Sequence, residues 1–118
     1  MRFDGLVNAL LTVGVPVSHY TAHKQPDKYI VWAEDGQVNA EYADDEMLLQ
    51  VIHGTLHYFT RLEYDPKFDE IQRALNRAGI SWALDSIAFE NTAGNNEQTP
   101  GTNYIHYTWD WAVENGEL

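Results

Sequence analysis

The longest regular pattern in this chain is an alternation of side chains within residues 39–61. Positions 51–60 separate into two faces with a period of two. One face carries Ile52, Gly54, Leu56, Tyr58 and Thr60, and the other carries Val51, His53, Thr55, His57 and Phe59. This period, together with the β-branched and aromatic content, predicts a strand. A strand this long is expected near the sheet centre, with the rest of the chain pairing with it or packing on it.

An amphipathic helix is predicted before this strand, at about residues 2–13. Its apolar positions follow helical spacing and are Phe3, Leu6, Val7, Leu10 and Leu11. Gly14 can adopt the left-handed capping conformation and Pro16 prevents continuation, so the helix should end there.

A second helix is predicted after the strand. Asp65 is a suitable N-cap, Pro66 fits the first helical position, and Gly79 is a suitable C-terminal cap. Its predicted buried stripe consists of Phe68, Ile71, Leu75 and Ala78. Asp69 and Arg73 have the i, i+4 spacing of an ion pair.

Three further stretches before the second helix have strand or turn character. Residues 17–22 are strand-like but short, and residues 29–34 are rich in β formers. Asp35-Gly36 predicts a two-residue hairpin turn into a strand that begins near Gln37. The acidic residues 41–46 are expected at a bend, a loop tip or an edge extension, and the central strand resumes near Met47.

Two more strands are predicted after the second helix. Residues 80–89 form one, with apolar side chains at Ile80, Trp82, Leu84, Ile87 and Phe89 and a phase shift at Asp85-Ser86 that predicts a β-bulge. Residues 105–113 alternate without interruption and form the other. Residues 91–103 are rich in Gly, Asn, Thr and Pro and predict a mobile hairpin loop, and residues 114–118 predict a tail.

The predicted element order is α-β-β-β-α-β-β. Hairpin connections favour a mainly antiparallel sheet of four to five strands, with both helices packed on one face, which is an α+β fold. The chain has 118 residues, so a single domain spanning residues 1–118 is expected.

The composition excludes several classes of function. The chain has no cysteine, so disulfides and Cys-based zinc sites are excluded. No apolar run reaches the roughly 20 residues of a membrane span, and the N-terminus does not resemble a signal peptide. The net charge of -11 repels phosphate backbones and anionic lipid, so neither specific nucleic-acid binding nor membrane binding is expected.

Candidate chemistry is sparse. His53 and His57 share a strand face but lie roughly 13 Å apart, too far to chelate one ion. A site that joins His57 with His106 and Asp110 would depend on the strand register. The spacing within the acidic residues does not match an EF-hand, and neither a nucleophile motif nor a phosphate-binding loop is present. We therefore expect no catalytic residue, no metal site and no cofactor, and interpret the histidines as structural or exposed.

The closing strand contains an aromatic ladder of Tyr107, Trp109 and Trp111. A ligand platform and core packing under the helices are both compatible with this spacing, and core packing is the preferred interpretation.

Segments along nearly the whole chain resemble small proteins from the morphogenesis clusters of tailed phages and prophages. These segments are Phe-Asp-Gly-Leu-Val-Asn-Ala-Leu from residue 3, Pro-Val-Ser-His from residue 16, Lys-Tyr-Ile-Val-Trp from residue 28, Gly-Thr-Leu-His-Tyr-Phe-Thr-Arg from residue 54, Ile-Gln-Arg-Ala-Leu-Asn-Arg-Ala-Gly-Ile-Ser-Trp from residue 71 and Ile-His-Tyr-Thr-Trp-Asp-Trp from residue 105. The chain is similar to tail terminator, tail-completion or head–tail joining proteins of siphophages.

The resemblance implies a non-enzymatic structural subunit that forms a hexameric ring on the end of the tail tube. Such a ring stops polymerisation of the tube and faces the head connector. The implied partners are further copies of the chain, the major tail tube protein and the head connector protein. The implied location is the head–tail junction of a virion made in the bacterial cytoplasm. Candidate interface or lumen residues are Asp44, Asp45, Glu46, Asn95, Asn96 and Glu97.

Two other classes of function compete with this assembly role. An acidic mimic of nucleic acid that binds a host enzyme would use the high negative charge, if carboxylates line one surface. A small metal-dependent enzyme is disfavoured by the spacing of the histidines.

Overall fold

The computed structural model describes residues 3–22, 24–43, 46–92 and 102–117. Within these ranges the elements are α1 (Asp4–Leu11), β1 (Val17–His19), β2 (Lys28–Ala43), β3 (Glu46–Thr60), α2 (Lys67–Arg77), β4 (Ser81–Thr92) and β5 (Thr102–Glu117). The order α-β-β-β-α-β-β and the α+β class are confirmed.

The five strands form one sheet in the order β1-β2-β3-β5-β4, so β3 lies at its centre as predicted. Antiparallel pairing joins β2 to β3, β3 to β5 and β5 to β4. The short β1 instead runs parallel to β2, with Val17 opposite Ile30 and His19 opposite Trp32. The strand ends at His19, three residues before the predicted end, because Tyr20 adopts the left-handed conformation (φ 67°).

The predicted hairpin turn at Asp35-Gly36 is wrong. β2 continues through these residues, and the register with β3 shifts between Glu34 and Gly36, as it does at a β-bulge. Pairing of β2 with β3 extends to Ala43 opposite Glu46. The glycine that suggested a turn therefore lies at an irregularity within a long strand.

The predicted bulge in β4 is confirmed, because the register with β5 shifts between Leu84 and Ser86. β4 and β5 are longer than expected and pair as far as Thr92 opposite Thr102. β5 also continues to Glu117 and pairs with β3 there, so residues 114–117 are strand and not tail.

The core lies between the helices and one sheet face. Gly54, Leu56, Tyr58 and Thr60 are buried on this face of β3, as the alternation predicted. Trp109, Trp111 and Tyr107 of β5 are buried beside them. Phe68 of α2 stacks on Tyr107 with ring centroids 4.5 Å apart. The aromatic ladder is therefore core, and its alternative role as a ligand platform is wrong.

A buried carboxylate positions the start of α2. Asp65 is 2% exposed and accepts hydrogen bonds from the hydroxyls of Tyr58 and Thr60, both at 2.7 Å. Its other oxygen accepts the backbone N–H of Lys67 at 2.9 Å, so Asp65 caps the helix start, although α2 begins at Lys67, one residue after the predicted first position Pro66. Lys28 Nζ lies 3.3 Å from the same carboxylate, so Asp65 connects β2, β3 and α2.

The C-terminal cap of α2 is confirmed, because Gly79 has a positive φ angle and directly follows the C-cap residue Ala78. Gly14 also has a positive φ angle, but α1 ends at Leu11 with Thr12 as its C-cap, before the predicted end at about residue 13. The apolar spacing of the two helices predicted that Leu11 and Ala78 are buried. Both predictions are wrong, because Leu11 is 57% exposed and Ala78 is exposed.

The ion pair on α2 also differs from the prediction. It joins Lys67 to Glu70 at 2.9 Å in place of the predicted pair of Asp69 with Arg73.

Gly54 is required where β3 passes beneath Trp111. A Cβ atom at Gly54 would lie 2.0 Å from the carbonyl oxygen of Ala33 and 2.5 Å from the Trp111 ring. A backbone oxygen cannot move aside cheaply, so a methyl group here would force β2 and β3 apart.

We expect Gly54→Ala to lower the free energy of unfolding by about 3 kcal/mol or more, which is large for a single substitution. Gly5→Ala is the matched control, because Gly5 lies in α1 and a Cβ there would meet no atom within 4 Å apart from the nearby backbone of its own helix. That control should raise stability by about 0.5–1 kcal/mol. Equal effects of the two substitutions in chemical denaturation would contradict the packing described for Trp111.

Candidate interaction surfaces

The most exposed apolar side chains of the described sheet lie on its edge strand β4. Leu84, Ile87 and Phe89 are 39%, 57% and 67% exposed. They pair with Trp109, Tyr107 and Ile105 of β5, so they point to the helix-covered face. α2 reaches β4 near its start, where Trp82 Nε1 donates to Asn76 Oδ1 at 2.8 Å. Beyond that point, the apolar side chains on this face of β4 stay exposed in the described structure.

Tyr64 of the loop before α2 is 95% exposed and lines a cavity together with Ile87, so it continues this surface. Tyr64 also has a left-handed backbone (φ 53°), which is unusual for a bulky residue and often marks a functional segment. We call the surface formed by Tyr64, Leu84, Ile87 and Phe89 the β4 margin.

A cavity of about 470 Å³ opens between the β4 margin and the start of α2. Its apolar lining comes from Tyr64, Phe68, Ile87, Ile105 and Tyr107. Glu63 and Asp69 lie at the same cavity and contribute negative charge. Exposed apolar surface with a polar rim is typical of a protein–protein interface.

A second candidate surface lies on the opposite sheet face, which carries three linked side chains. His57 Nδ1 lies 2.7 Å from His106 Nε2, and His106 Nδ1 is hydrogen-bonded to Glu90. The Thr108 hydroxyl lies 3.4 Å from His57 Nδ1 and 3.3 Å from His106 Nε2. A proton at His106 Nδ1, held by the carboxylate, would leave Nε2 to accept from His57.

Burial is the main cause that holds the pKa of His57 below its ordinary value, and the neighbouring His106 is the second cause. A cavity of about 470 Å³ adjoins the pair and is lined by Tyr20, Ala22, Tyr29 and Phe59. Near this cavity, the Tyr104 hydroxyl lies within hydrogen-bond distance of the carbonyl oxygens of Gln25 and Pro26, at 3.0 and 2.8 Å.

The structure joins only part of the histidine set considered from the sequence. His57 and His106 meet, whereas Asp110 lies opposite Thr55 and His53 lies opposite Ala112. Among the residues that the structure describes, no group of three or more His, Asp or Glu side chains is placed to hold a metal ion. The cluster consists of His57 and His106, with the carboxylate of Glu90 hydrogen-bonded to His106.

Most of the predicted interface or lumen residues lie outside the described residues. These are Asp44, Asp45, Asn95, Asn96 and Glu97, and the predicted mobile loop falls largely on the same undescribed part of the chain. Glu46 is the first residue of β3. Their proposed roles therefore remain predictions.

The β4 margin was missed from sequence, although the chain contains a signal for it. The 11 residues of α2 span about 17 Å, whereas the 12 residues of β4 span about 40 Å. A helix of that length cannot cover the whole strand, so some of the apolar side chains on the helix-facing side of β4 had to stay exposed.

In the described part of the chain, neither helix is long and apolar enough to cross a membrane. No protein-family model matches the sequence, and no curated protein matches it. Among solved structures, one chain with 11% identity matches over 92% of this protein and 94% of its own length, with a TM-score of 0.37. A score this low carries no argument about function.

The lowered pKa of His57 predicts a pH dependence of stability. In the unfolded chain His57 takes up a proton near its ordinary pKa, whereas in the folded protein it takes up the proton only at lower pH. The free energy of unfolding should therefore fall between about pH 7.5 and about pH 5.5, above the range in which carboxylates titrate. His57→Gln should make this fall smaller. Denaturation curves with the same pH slope in both proteins would contradict the prediction.

Proposed function

We propose that this protein is a non-enzymatic structural subunit of phage tail assembly, a ring-forming tail terminator or tail-completion protein at the head–tail junction. The resemblance of its segments to that family motivates the proposal, and the α+β fold is compatible with it. The proposed partners are further copies of the chain, the major tail tube protein and the head connector protein.

The single observation that supports this role best is the β4 margin. A monomeric protein gains nothing from exposing Ile87 and Phe89 on a strand that has an open edge, because such a surface invites aggregation. The exposure is understandable if another protein covers this surface in an assembly.

Net charge fits the same role. A ring around a DNA passage should not hold DNA, and a chain with a net charge of -11 repels phosphate. Asp44, Asp45 and Glu46 are the residues that we propose for the lumen or the tube-facing surface. The histidine pair and Glu90 need no catalytic role in this proposal.

The decisive experiment is deletion of the gene in its parent phage, followed by electron microscopy of the lysate. Loss of a terminator leaves growth of the tube unchecked, so we expect abnormally long, unattached tails beside filled heads. Expression of the intact protein from a plasmid should restore complete particles and serves as the control.

Other outcomes separate the remaining roles. Tails of normal length that stay unattached would assign the protein to a joining step and not to termination. Complete, infectious particles from the deletion strain would contradict the assembly role and would favour the acidic mimic.

A further inference from the structure

The sheet face opposite the helices brings three donor atoms of β3 and β5 together. His57 Nδ1 and His106 Nε2 lie 2.7 Å apart. The Thr108 hydroxyl lies 3.4 Å from the first nitrogen and 3.3 Å from the second. Strand pairing determines this triangle of donors, because His57 lies opposite Thr108 and Phe59 lies opposite His106.

The dimensions of this triangle are close to those of a metal site. Two imidazole nitrogens that each lie about 2.05 Å from one ion are about 2.9 Å apart at a right angle and about 3.3 Å apart at the tetrahedral angle. The triangle has sides of 2.7, 3.3 and 3.4 Å, so small rotations of the two rings would admit an ion. Imidazole nitrogen favours Cu²⁺, Ni²⁺ and Zn²⁺ over Mg²⁺ and Ca²⁺.

Glu90 gives one of the two imidazoles the support that metal ligands commonly have. Its carboxylate is hydrogen-bonded to Nδ1 of His106, the ring nitrogen that is not part of the triangle. A carboxylate there holds the proton on Nδ1 and leaves the lone pair of Nε2 for an ion. Phe59 stacks on His106 with ring centroids 4.1 Å apart, which restricts the ring further.

The adjoining cavity gives water and ions access to the triangle. Its volume is about 470 Å³, and both His57 and His106 line it. The side chain of His106 is 18% exposed, so the cluster is not sealed from solvent. Water in this cavity can fill the coordination positions that the chain leaves open. The net charge of -11 also raises the local concentration of cations.

We propose that His57 Nδ1, His106 Nε2 and the Thr108 hydroxyl bind one divalent transition-metal ion, with water completing its coordination. The ion joins β3 to β5, and Glu90 extends the link to β4 as a positioning residue. On binding, His57 loses the proton of Nδ1 and carries a proton on Nε2, so it stays a neutral imidazole. The proposal goes beyond the sequence-based expectation of no metal site, and it does not depend on the assembly role.

The test is a calorimetric titration of the protein, prepared without a histidine tag, with Ni²⁺ and with Zn²⁺. We expect one ion per chain for both metals and no saturable binding of Mg²⁺, which controls for attraction by net charge. His57→Gln and His106→Gln should each abolish saturable binding, because one imidazole remains. His53→Gln is the matched control and should leave the affinity unchanged, because His53 shares the strand face of His57 but lies opposite Ala112.

The positioning role of Glu90 has its own pair of variants. Glu90→Gln should lower the affinity for Ni²⁺ by about tenfold, as is typical for loss of an outer carboxylate. Asp110→Asn is the matched control, because it removes the same charge from the same sheet face but Asp110 lies opposite Thr55. Equal losses in the two variants would show an effect of net charge and would contradict the positioning role.

Paramagnetic broadening tests the site in the unmodified protein, so it does not depend on the folding of any variant. Small additions of Cu²⁺ should broaden the backbone NMR signals of His57, His106 and Thr108 before those of His19 and His53. Broadening that begins at His19 or His53, or an absence of saturable binding, would overturn the proposal. Binding that survives His57→Gln and His106→Gln would overturn it too. These outcomes are independent of tail length in the deletion strain, which tests only the assembly role.

Discussion

The buried carboxylate of Asp65 determines where the second helix lies and, through it, what remains exposed. It accepts hydrogen bonds from Tyr58, Thr60 and the backbone of Lys67. Burial alone would raise the pKa of Asp65, but these bonds and Lys28 hold the pKa below its ordinary value. The ionised carboxylate thus joins two strands to the first turn of α2, which places the helix over β5 and leaves most of β4 uncovered.

The exposed part of β4 gives this fold a surface that folding does not need. Trp109 donates to Gln72 of α2 and is fully buried, whereas Phe89, on the same sheet face, is 67% exposed. The core is therefore complete without the β4 margin. Its apolar area is therefore available to a partner.

Local patterns in the sequence predicted much of the fold, and long-range pairing limited the rest. The alternation around Leu56, the Asp65-Pro66 helix start and the bulge near Ser86 are local and are confirmed. Asp35-Gly36 has the local chemistry of a turn, but pairing with β3 keeps the strand intact. The contact of His57 with His106 depends on the register of two strands 49 residues apart, which periodicity alone does not determine.

The central claim is that the β4 margin serves contact between proteins and not folding. We would measure the free energy of unfolding and the fraction of associated copies, by chemical denaturation and sedimentation velocity, for Ile87→Asp/Phe89→Asp. The account predicts a change in unfolding free energy within about 0.5 kcal/mol per site, as for exposed positions, and a loss of association relative to the unmodified protein. Loss of several kcal/mol in stability, or association that is unchanged, would contradict it.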